Sequence, residues 1–528
     1  MILRKSSQIR HENDDVTDAN EKANTCTQRV IDVLKQFCET TSIRGLPRIV
    51  KSKYMFGKIY WTLAFLLATG AMCHTLYDHI DVYFSYSTVT KTTIVSELEI
   101  IKTFPDVTVC NLFGFAHMNE TPKTALEYRS IVFDLVTKYR LPVDFFNYFE
   151  AYLSFMTEAE RYEAGHKIHD FIVDCKKINM ISGFNDTCPE NMFVLFTDLT
   201  YLNCYTIQLQ NDAALRYITS GISLTINLNH YNLNVSLLDL IDGMPTERGI
   251  AVYIHEHNTM PPYHTPLKIS PGHAVEIQIE TEDVIKLPPP YGTCMDGSDT
   301  KYTVVGSDSK NYSYTMISCV YDCVQTLILE RCKCVSREYP LFRGQPICLN
   351  GRNNVPRIIN ETDCLFELLE ENIEFQCLSE CKEPCRGTSY KYTASQSIWP
   401  NEGSQLDIYK KYIQKSKYQH FYEEYEELLT LGKYTLFEKG KKLEQLNTLR
   451  NNMVKLDISL TSNSKIVRKE IPLINDISLF TSISGTFIFY IGFTFFSLLE
   501  MVEYTWKILK VIFNSKKQRS DREISLKG

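Results

Sequence analysis

The chain has 528 residues, 44% of them hydrophobic and 23% charged, with a formal net charge of −7. That length admits several soluble domains. The mild acidity excludes a polyanion-binding surface as the organising feature, so no nucleic-acid partner is expected.

Residues 1–58 are polar, with no apolar core before Ile59 and no secretory signal pattern. An amphipathic piece is expected around Val30–Phe37. Thr41-Ser42-Ile43-Arg44-Gly45-Leu46-Pro47 follows. Gly45 permits a backbone conformation that other residues resist, and Pro47 fixes φ soon after. The stretch reads either as a membrane-entry turn or as a structured re-entrant element below a pore. Ile59–Tyr77 is the first run free of Asp, Glu, Lys and Arg, and a candidate span. Arg44, Arg48, Lys51, Lys53 and Lys58 precede it with no acid among them.

Beyond it, Val82–Val95 alternates and is rich in Thr, Val and Tyr, the pattern of a strand. Phe104–Asn111 reads as a short buried strand ending at a disulfide candidate. Thr121–Lys176 has helical period and forms a peripheral helical lobe. Strands are expected at Asn203–Leu209, Gly221–Leu228, Gly249–His255 and Ala274–Ile285. The last runs into Leu287-Pro288-Pro289-Pro290-Tyr291-Gly292, a stiff turn. Helices are expected around Ser318–Glu330 and Thr362–Asn372, and a charged helical stretch over Leu406–Leu446. Met453–Leu460 is the last expected strand. No internal repeat is found.

Ile477–Leu499 is the second uncharged run; its 23 residues suffice, at about 1.5 Å each, for a hydrocarbon core of roughly 30 Å. Ser478, Gly485 and Gly492 share one stripe, Glu503 returns to it, and Thr481 and Ser482 lie beside it. Phe487, Ile488, Phe489 and Phe495 suit lipid. The small stripe serves either helix–helix packing or a pore wall, where hydroxyls and carbonyls replace an ion's water and an inner acid attracts cations. Lys507, Lys510, Lys516, Lys517 and Arg519 follow. Positive charge at both outer flanks puts both termini in the cytoplasm.

Fourteen cysteines lie from Cys110 to Cys385, leaving Cys26, Cys38 and Cys73 outside; an even set fits seven disulfides. The glycosylation sequons Asn119, Asn185, Asn234, Asn311 and Asn360 fall in the same block. Together they place residues from about 81 to 476 outside the cell. Zinc competes for the Cys332-x-Cys334 pair. His255-Glu256-His257 lacks both the H-E-x-x-H spacing and a third partner, so no metal is assigned. A nucleophile elbow, a phosphate loop and a dinucleotide fingerprint are all missing, and Glu423/Glu424 belong to charge-rich helix. Neither an enzyme nor a cofactor is expected.

Several pieces recur in a specific order: Ser42-Ile43-Arg44-Gly45, Phe104–Asn111, Asn203-Cys204-Tyr205-Thr206, Val252-Tyr253-Ile254-His255-Glu256 and Leu287–Gly292. Then come Cys319-x3-Cys323-x8-Cys332-x-Cys334, Cys377-x3-Cys381-x2-Pro384-Cys385 and the second apolar run. Over about residues 41–506 the chain resembles the degenerin/epithelial sodium channel family, with its acid-sensing and peptide-gated branches. The resemblance implies an α+β membrane protein and a trimeric channel in the plasma membrane, as homotrimer or heterotrimer. Each subunit would have palm and β-ball strands with helical finger, thumb and knuckle. The implied segments are a cytoplasmic 1–58, a first span at 59–80, a disulfide-rich extracellular 81–475, a second span at 476–504 and a cytoplasmic 505–528.

It also implies the disulfides Cys110–Cys204, Cys175–Cys188, Cys294–Cys385, Cys319–Cys381, Cys323–Cys377, Cys332–Cys364 and Cys334–Cys348. The family's selectivity triplet falls on Gly492-Phe493-Thr494, with Thr in place of Ser. The outer pore falls on Thr481, Ser482 and Gly485, with Ser482 where many relatives carry an acid, which bears on block by cationic amiloride. Glu500 and Glu503 become inner-pore acids. The N-terminal gating motif becomes Arg44-Gly45, Arg replacing His. Tyr86 and Tyr291 become an aromatic pair coupling the extracellular domain to the first span. Tyr312-x-Tyr314-Thr315, Ser397-Ile398-Trp399-Pro400 and Asn452-Met453-Val454-x-Leu456 resemble the invertebrate peptide-gated branch. The expected function is a sodium-permeable channel opened by an extracellular neuropeptide such as FMRFamide. Opening by protons or force, constitutive opening, and a non-conducting two-span adhesion protein or ecto-enzyme are the alternatives. ATP-gated receptors share the topology, but their cluster of extracellular lysines is not evident.

Overall fold

The computed structural model describes residues 27–96, 104–116, 123–141, 149–179, 185–208, 219–231, 246–262, 265–295, 312–341, 344–350, 352, 354–430, 435–461 and 464–525. In chain order, helices α1 (27–40), α2 (Leu46–Lys51) and α3 (Met55–Phe84) precede strands β1 (Thr88–Ser96) and β2 (Asp106–Asn111). Helices α4 (Lys123–Tyr139), α5 (Phe149–Phe155), α6 (Glu158–Ala164) and α7 (Ile168–Phe171) follow. Then come β3 (Ile172–Asn179), β4 (Asn185–Thr187), β5 (Phe193–Asp198), β6 (Leu202–Ile207), β7 (Thr219–Asn227), β8 (Ile250–His255), β9 (Leu267–Ile269) and β10 (His273–Ile285). The remainder comprises α8 (Met316–Cys332), α9 (Val355–Glu370), α10 (Ile373–Glu380), β11 (Arg386–Ile398), α11 (Gln405–Tyr412), α12 (Glu423–Leu429), α13 (Leu436–Gln445), α14 (Thr448–Asn452), β12 (Met453–Leu460), β13 (Ser464–Pro472), α15 (Asp476–Ile491) and α16 (Phe495–Ser525).

These elements form two units, Thr90–Glu470 and the paired ends Met1–Val89 with Ile471–Gly528. The larger holds two sheets. One runs β1-β13-β10-β12-β7-β3-β4, with β11 also on β10; the other runs β5-β6-β2-β8-β9. β10 organises the first. Its side chains alternate, burying Val275, Ile277 and Ile279, as a strand with one wet face requires. β11 pairs antiparallel with it along its whole length. The opposite edge is shared by two parallel strands, β12 on Ala274–Ile279 and β13 on Glu282–Ile285.

The main core lies between the sheets and includes Val107, Val109, Ile222, Leu224, Ile226, Ile277, Leu456 and Ile458. Each such side chain contributes about 1.5–3 kcal/mol when fully buried. Tyr152, Leu153 and Phe155 close a helical lobe, and Tyr409, Tyr422 and Tyr425 centre another. Helix α8 begins with a reciprocal cap between Thr315 and Ser318.

Seven disulfides form among the described residues: Cys110–Cys204, Cys175–Cys188, Cys294–Cys385, Cys319–Cys381, Cys323–Cys377, Cys332–Cys364 and Cys334–Cys348. Three staple α8 to α9, to α10 and to Cys381 at the end of α10, around Leu135, Val324, Ile358 and Leu368. At about 2–4 kcal/mol each, they hold this helical group together against unfolding.

Several expected elements differ. The strand expected from Val82 starts only at Thr88, because α3 continues through Phe84; nothing in Asp78–Tyr83 breaks a helix. The end of the expected helical lobe is strand β3. Met453–Leu460 is not the last strand; β13 follows it. Leu406–Leu446 is not one helical stretch but α11, α12 and α13, with Lys415 at φ 112° between the first two. Of the sequons, Asn360 is exposed on α9 and Asn185 lies in β4, while Asn119, Asn234 and Asn311 lie outside the described residues.

Candidate functional site

The smaller unit carries the site. α3 is 30 residues long, and Met72 is its one buried side chain. It is long and apolar enough to cross a membrane. The second apolar run is not one straight helix: α15 and α16 meet at 74° across Gly492-Phe493-Thr494. Gly492 causes the break. It ends α15 in the left-handed region at φ 68°, where a side chain is strained. Its N–H donates to the Ile488 carbonyl at 3.0 Å, and that of Phe493 to the Phe487 carbonyl at 3.2 Å. The Phe493 ring packs on Phe487.

Thr494 then starts α16. Its N–H donates to Ser497 Oγ at 3.1 Å, and the Ser497 N–H donates to Thr494 Oγ1 at 3.4 Å. This reciprocal cap satisfies donors that a helix start leaves open. Ser497 is fully buried.

The 41–45 loop lies on this break. The Arg44 N–H donates to the Ile491 carbonyl at 2.8 Å. The Arg44 stem covers Gly492 so closely that a Cβ there would fall 2.7 Å from Arg44 Cγ. Glu500 Oε2 accepts from Thr41 Oγ1 and from the Ser42 N–H, both at 2.9 Å, and from Ser42 Oγ at 3.3 Å. Ser42 Oγ also meets Ser497 Oγ at 2.6 Å. Gly45 precedes α2 at φ 106°, where a Cβ would press on Phe65. Thr40 meets the Tyr504 hydroxyl at 2.9 Å, and Phe37 packs edge-on against the same ring. The loop is thus a structured element bonded to both sides of the break.

Arg44, Gly492, Phe493, Thr494 and Glu500 therefore come together, with Gly45 at the loop's end. Thr481 and Gly485 are exposed on α15 and Ser482 is half-buried there; the Thr481 hydroxyl donates to its own helix at Ile477. Glu503 pairs with Lys507 at 2.6 Å. Tyr86 belongs to this unit, at φ 50° after α3. Tyr291 belongs to the other, its N–H closing the proline turn on the Pro288 carbonyl at 3.2 Å. The sequence reading names Thr41 and Ser42 within their stretch but gives them no partner, and it does not single out Ser497. The Thr494-x-x-Ser497 spacing is a cap signature that could have exposed Ser497; nothing in the sequence points Thr41 and Ser42 at Glu500.

In the larger unit, His255 bonds Thr108 and Thr259, while His257 meets Asp106 at 2.9 Å. The two rings thus serve separate networks. Among the described residues no cluster of His, Cys, Asp and Glu is placed to hold a metal. Burial lowers His230 to about 4, helped by Arg248, and pushes Asp322 up to about 6. β10 carries two buried or half-buried acids toward its neighbours. Glu282 meets Lys391 at 2.8 Å and also pairs with Arg468; Asp283 meets Lys465 at 2.6 Å.

A family model described as the amiloride-sensitive sodium channel matches residues 37–504. The FMRFamide-activated amiloride-sensitive sodium channel of Cornu aspersum is 23% identical, over 92% of this chain and 85% of the relative. Acid-sensing ion channel 1 of Gallus gallus is 23% identical, over 90% of this chain and 84% of the relative. Epithelial sodium channel subunit alpha of Neoceratodus forsteri is 25% identical, over 66% and 47% respectively.

Proposed function

The chain belongs to the amiloride-sensitive sodium channel family, and from that premise we infer that it forms a gated, sodium-permeable channel opened by an extracellular peptide. Three copies would surround one axis in the plasma membrane, as homotrimer or heterotrimer. Each would cross twice, through α3 and through the bent pair α15–α16, with both termini cytoplasmic. The observation that carries this reading is the helix break at Gly492, left-handed and seated on the 41–45 loop. A break inside an apolar helix frees backbone groups that lipid cannot satisfy; it is tolerated where it lines a wet path or is buried in protein. Around a threefold axis such a break presents carbonyls to an ion.

In this reading Gly492-Phe493-Thr494 is the filter. Thr481, Ser482 and Gly485 line the outer pore, where amiloride-type blockers act, and Glu503 stands at the inner end. Tyr86 and Tyr291 pass movement of the disulfide-stapled helices to the first span. Peptide gating is supported by the FMRFamide-activated relative's cover of the chain and by the three peptide-branch segments. Proton gating is the second reading, supported by the equal identity of the acid-sensing relative.

Two experiments test this. Purified protein in a planar bilayer should give unitary currents that reverse toward the sodium potential. A protein that never conducts favours the two-span adhesion protein or ecto-enzyme instead. In oocytes, an amidated peptide panel should evoke current at constant pH; current evoked by acid steps alone favours the second reading.

A further inference from the structure

We propose that Asp106 is a positioning residue for gating: it holds the turn that seats the start of α8, and gating requires that hold to let go. The proposal rests on the channel reading above.

Asp106 opens β2, and its side chain is fully buried. Three donors meet its carboxylate. Gln208 Nε2 reaches Oδ2 at 2.8 Å, the Asn258 N–H reaches Oδ2 at 3.0 Å, and His257 Nδ1 reaches Oδ1 at 2.9 Å. On a carboxylate the His257 nitrogen is the donor. Gln208 follows β6, while His257 and Asn258 follow β8, so the acid ties together the ends of three neighbouring strands.

The same acid fixes a turn. The Thr259 N–H closes it on the Glu256 carbonyl at 3.1 Å, and Asn258 stands in the left-handed region at φ 59°. Asn tolerates that conformation better than most residues. The turn then grips the chain leading into α8. The Asn258 carbonyl accepts the Ser313 N–H at 2.7 Å, and Asn258 Nδ2 stands 3.5 Å from Ser313 Oγ. Two residues on, Thr315 caps α8, and Cys319 carries the first of its disulfides. Met260, two residues past Asn258, packs with Tyr321 of α8.

The far end of the stapled helices is tied otherwise. There Cys385 is bonded to Cys294, its N–H donates to the Met295 carbonyl at 3.0 Å, and its carbonyl accepts the Lys286 N–H at 2.8 Å. Lys286 directly follows β10. That end is covalent and keeps its place. The start of α8 is held to the sheet by hydrogen bonds and apolar contact, which open and close locally. A pull on the stapled helices is therefore relieved at the start of α8, and the buried acid sets how firmly it is held.

An amide can stand in for this acid. With its oxygen in the Oδ2 place, asparagine still accepts from Gln208 and Asn258, and its nitrogen donates to His257 Nδ1 in the other tautomer. Alanine leaves all three groups without their acceptor, and a buried donor left unmade is costly.

The test uses the full-length protein. Hydrogen exchange of residues 312–318 is followed by mass spectrometry in detergent. Asp106→Ala should quicken it roughly tenfold or more, because the lost hold eases a local opening; Asp106→Asn should match wild type. A crosslink then separates gating from mere support, using Asn258→Cys with Ser313→Cys. Ser313 completes the Asn311 sequon, so Asn311→Gln, oxidised and reduced in the same way, is the reference. Open–closed transitions are counted in unitary records at rest, under FMRFamide and under acid steps. Oxidation of the cysteine pair should make them at least roughly tenfold rarer, since an interface locked in one arrangement cannot switch. Dithiothreitol should restore them.

Unchanged exchange in Asp106→Ala, or equally fast exchange in Asp106→Asn, overturns the hold. A cysteine pair that does not crosslink overturns the contact between turn and chain. Unchanged transitions in a pair shown by peptide mass to be crosslinked overturn its part in gating. The crosslink needs no change at Asp106, so the test survives an Asp106→Ala protein that fails to fold. A silent reference protein with the expected exchange keeps the hold and overturns the channel reading alone.

Discussion

Gly492 combines two constraints that act separately elsewhere: a left-handed backbone at φ 68° and a neighbour, Arg44, where a Cβ would stand. The backbone term alone costs a side chain about 1–2 kcal/mol. Gly492→Val should abolish sodium current at normal surface biotinylation, and Gly492→Ala should regain part of its current when Arg44 is also shortened to alanine. Wild-type current from Gly492→Val would place the filter elsewhere. Asp322 on α8 makes a different prediction. Burial holds its carboxyl near 6, above the ordinary carboxylate range. Between those values the folded protein keeps a proton that the unfolded chain releases, so stability from this group is full at low pH and is lost as pH rises through about 6. Asp322→Asn should therefore raise the unfolding temperature at about pH 7.5 and match wild type at about pH 4.

At the scale of elements, the sequence exposed strands whose own residues alternate and hid those that borrow their order from a partner. β10 alternates and was readable. β11 is exposed along nearly its whole length, with Thr388, Ser389, Thr393, Ser395 and Gln396 and little apolar pattern; the ladder to β10 makes it a strand. β13 was hidden by its charges. Lys465 and Arg468 interrupt any apolar alternation, yet they meet Asp283 and Glu282 on β10. The site divides in the same way. Gly492, Thr494, Arg44 and Gly45 were found through family likeness, whereas the bonds of Thr41 and Ser42 to Glu500 rest on distances that no spacing encodes. The start of α16 can be tested as an element. Thr494 is its cap, and losing such a cap costs about 0.5–2 kcal/mol. Thr494→Ser should preserve current and reversal potential; Thr494→Val, similar in shape but without the hydroxyl, should alter selectivity. Equal reversal potentials for the two would remove Thr494 from the filter's support.

For the whole molecule, the stapled helices and the pore unit are linked in the proposed function by Tyr86 and Tyr291. An aromatic contact contributes about 0.5–1.5 kcal/mol beyond burial, enough to move a gating equilibrium by at most roughly tenfold. Tyr291→Ala should cut agonist-evoked current by up to that factor with surface level unchanged; undiminished current would make Tyr291 a packing residue only. Thr481→Phe, adding bulk where three spans would crowd, should leak sodium without agonist, since packed interfaces switch between discrete arrangements. The strand order bears on how a pull on this protein would be felt. β13 leaves the larger unit at Ile471 and lies parallel to β10 over Glu282–Ile285. Tension along it loads those bridges in shear, all together, instead of peeling them one at a time. Two side-chain ion pairs, Glu282–Arg468 within this overlap and Asp283–Lys465 at its edge, clamp it. A sheet loaded this way is stiff up to a threshold and then slips in one step, so its mechanical output is closer to a trigger than to a spring.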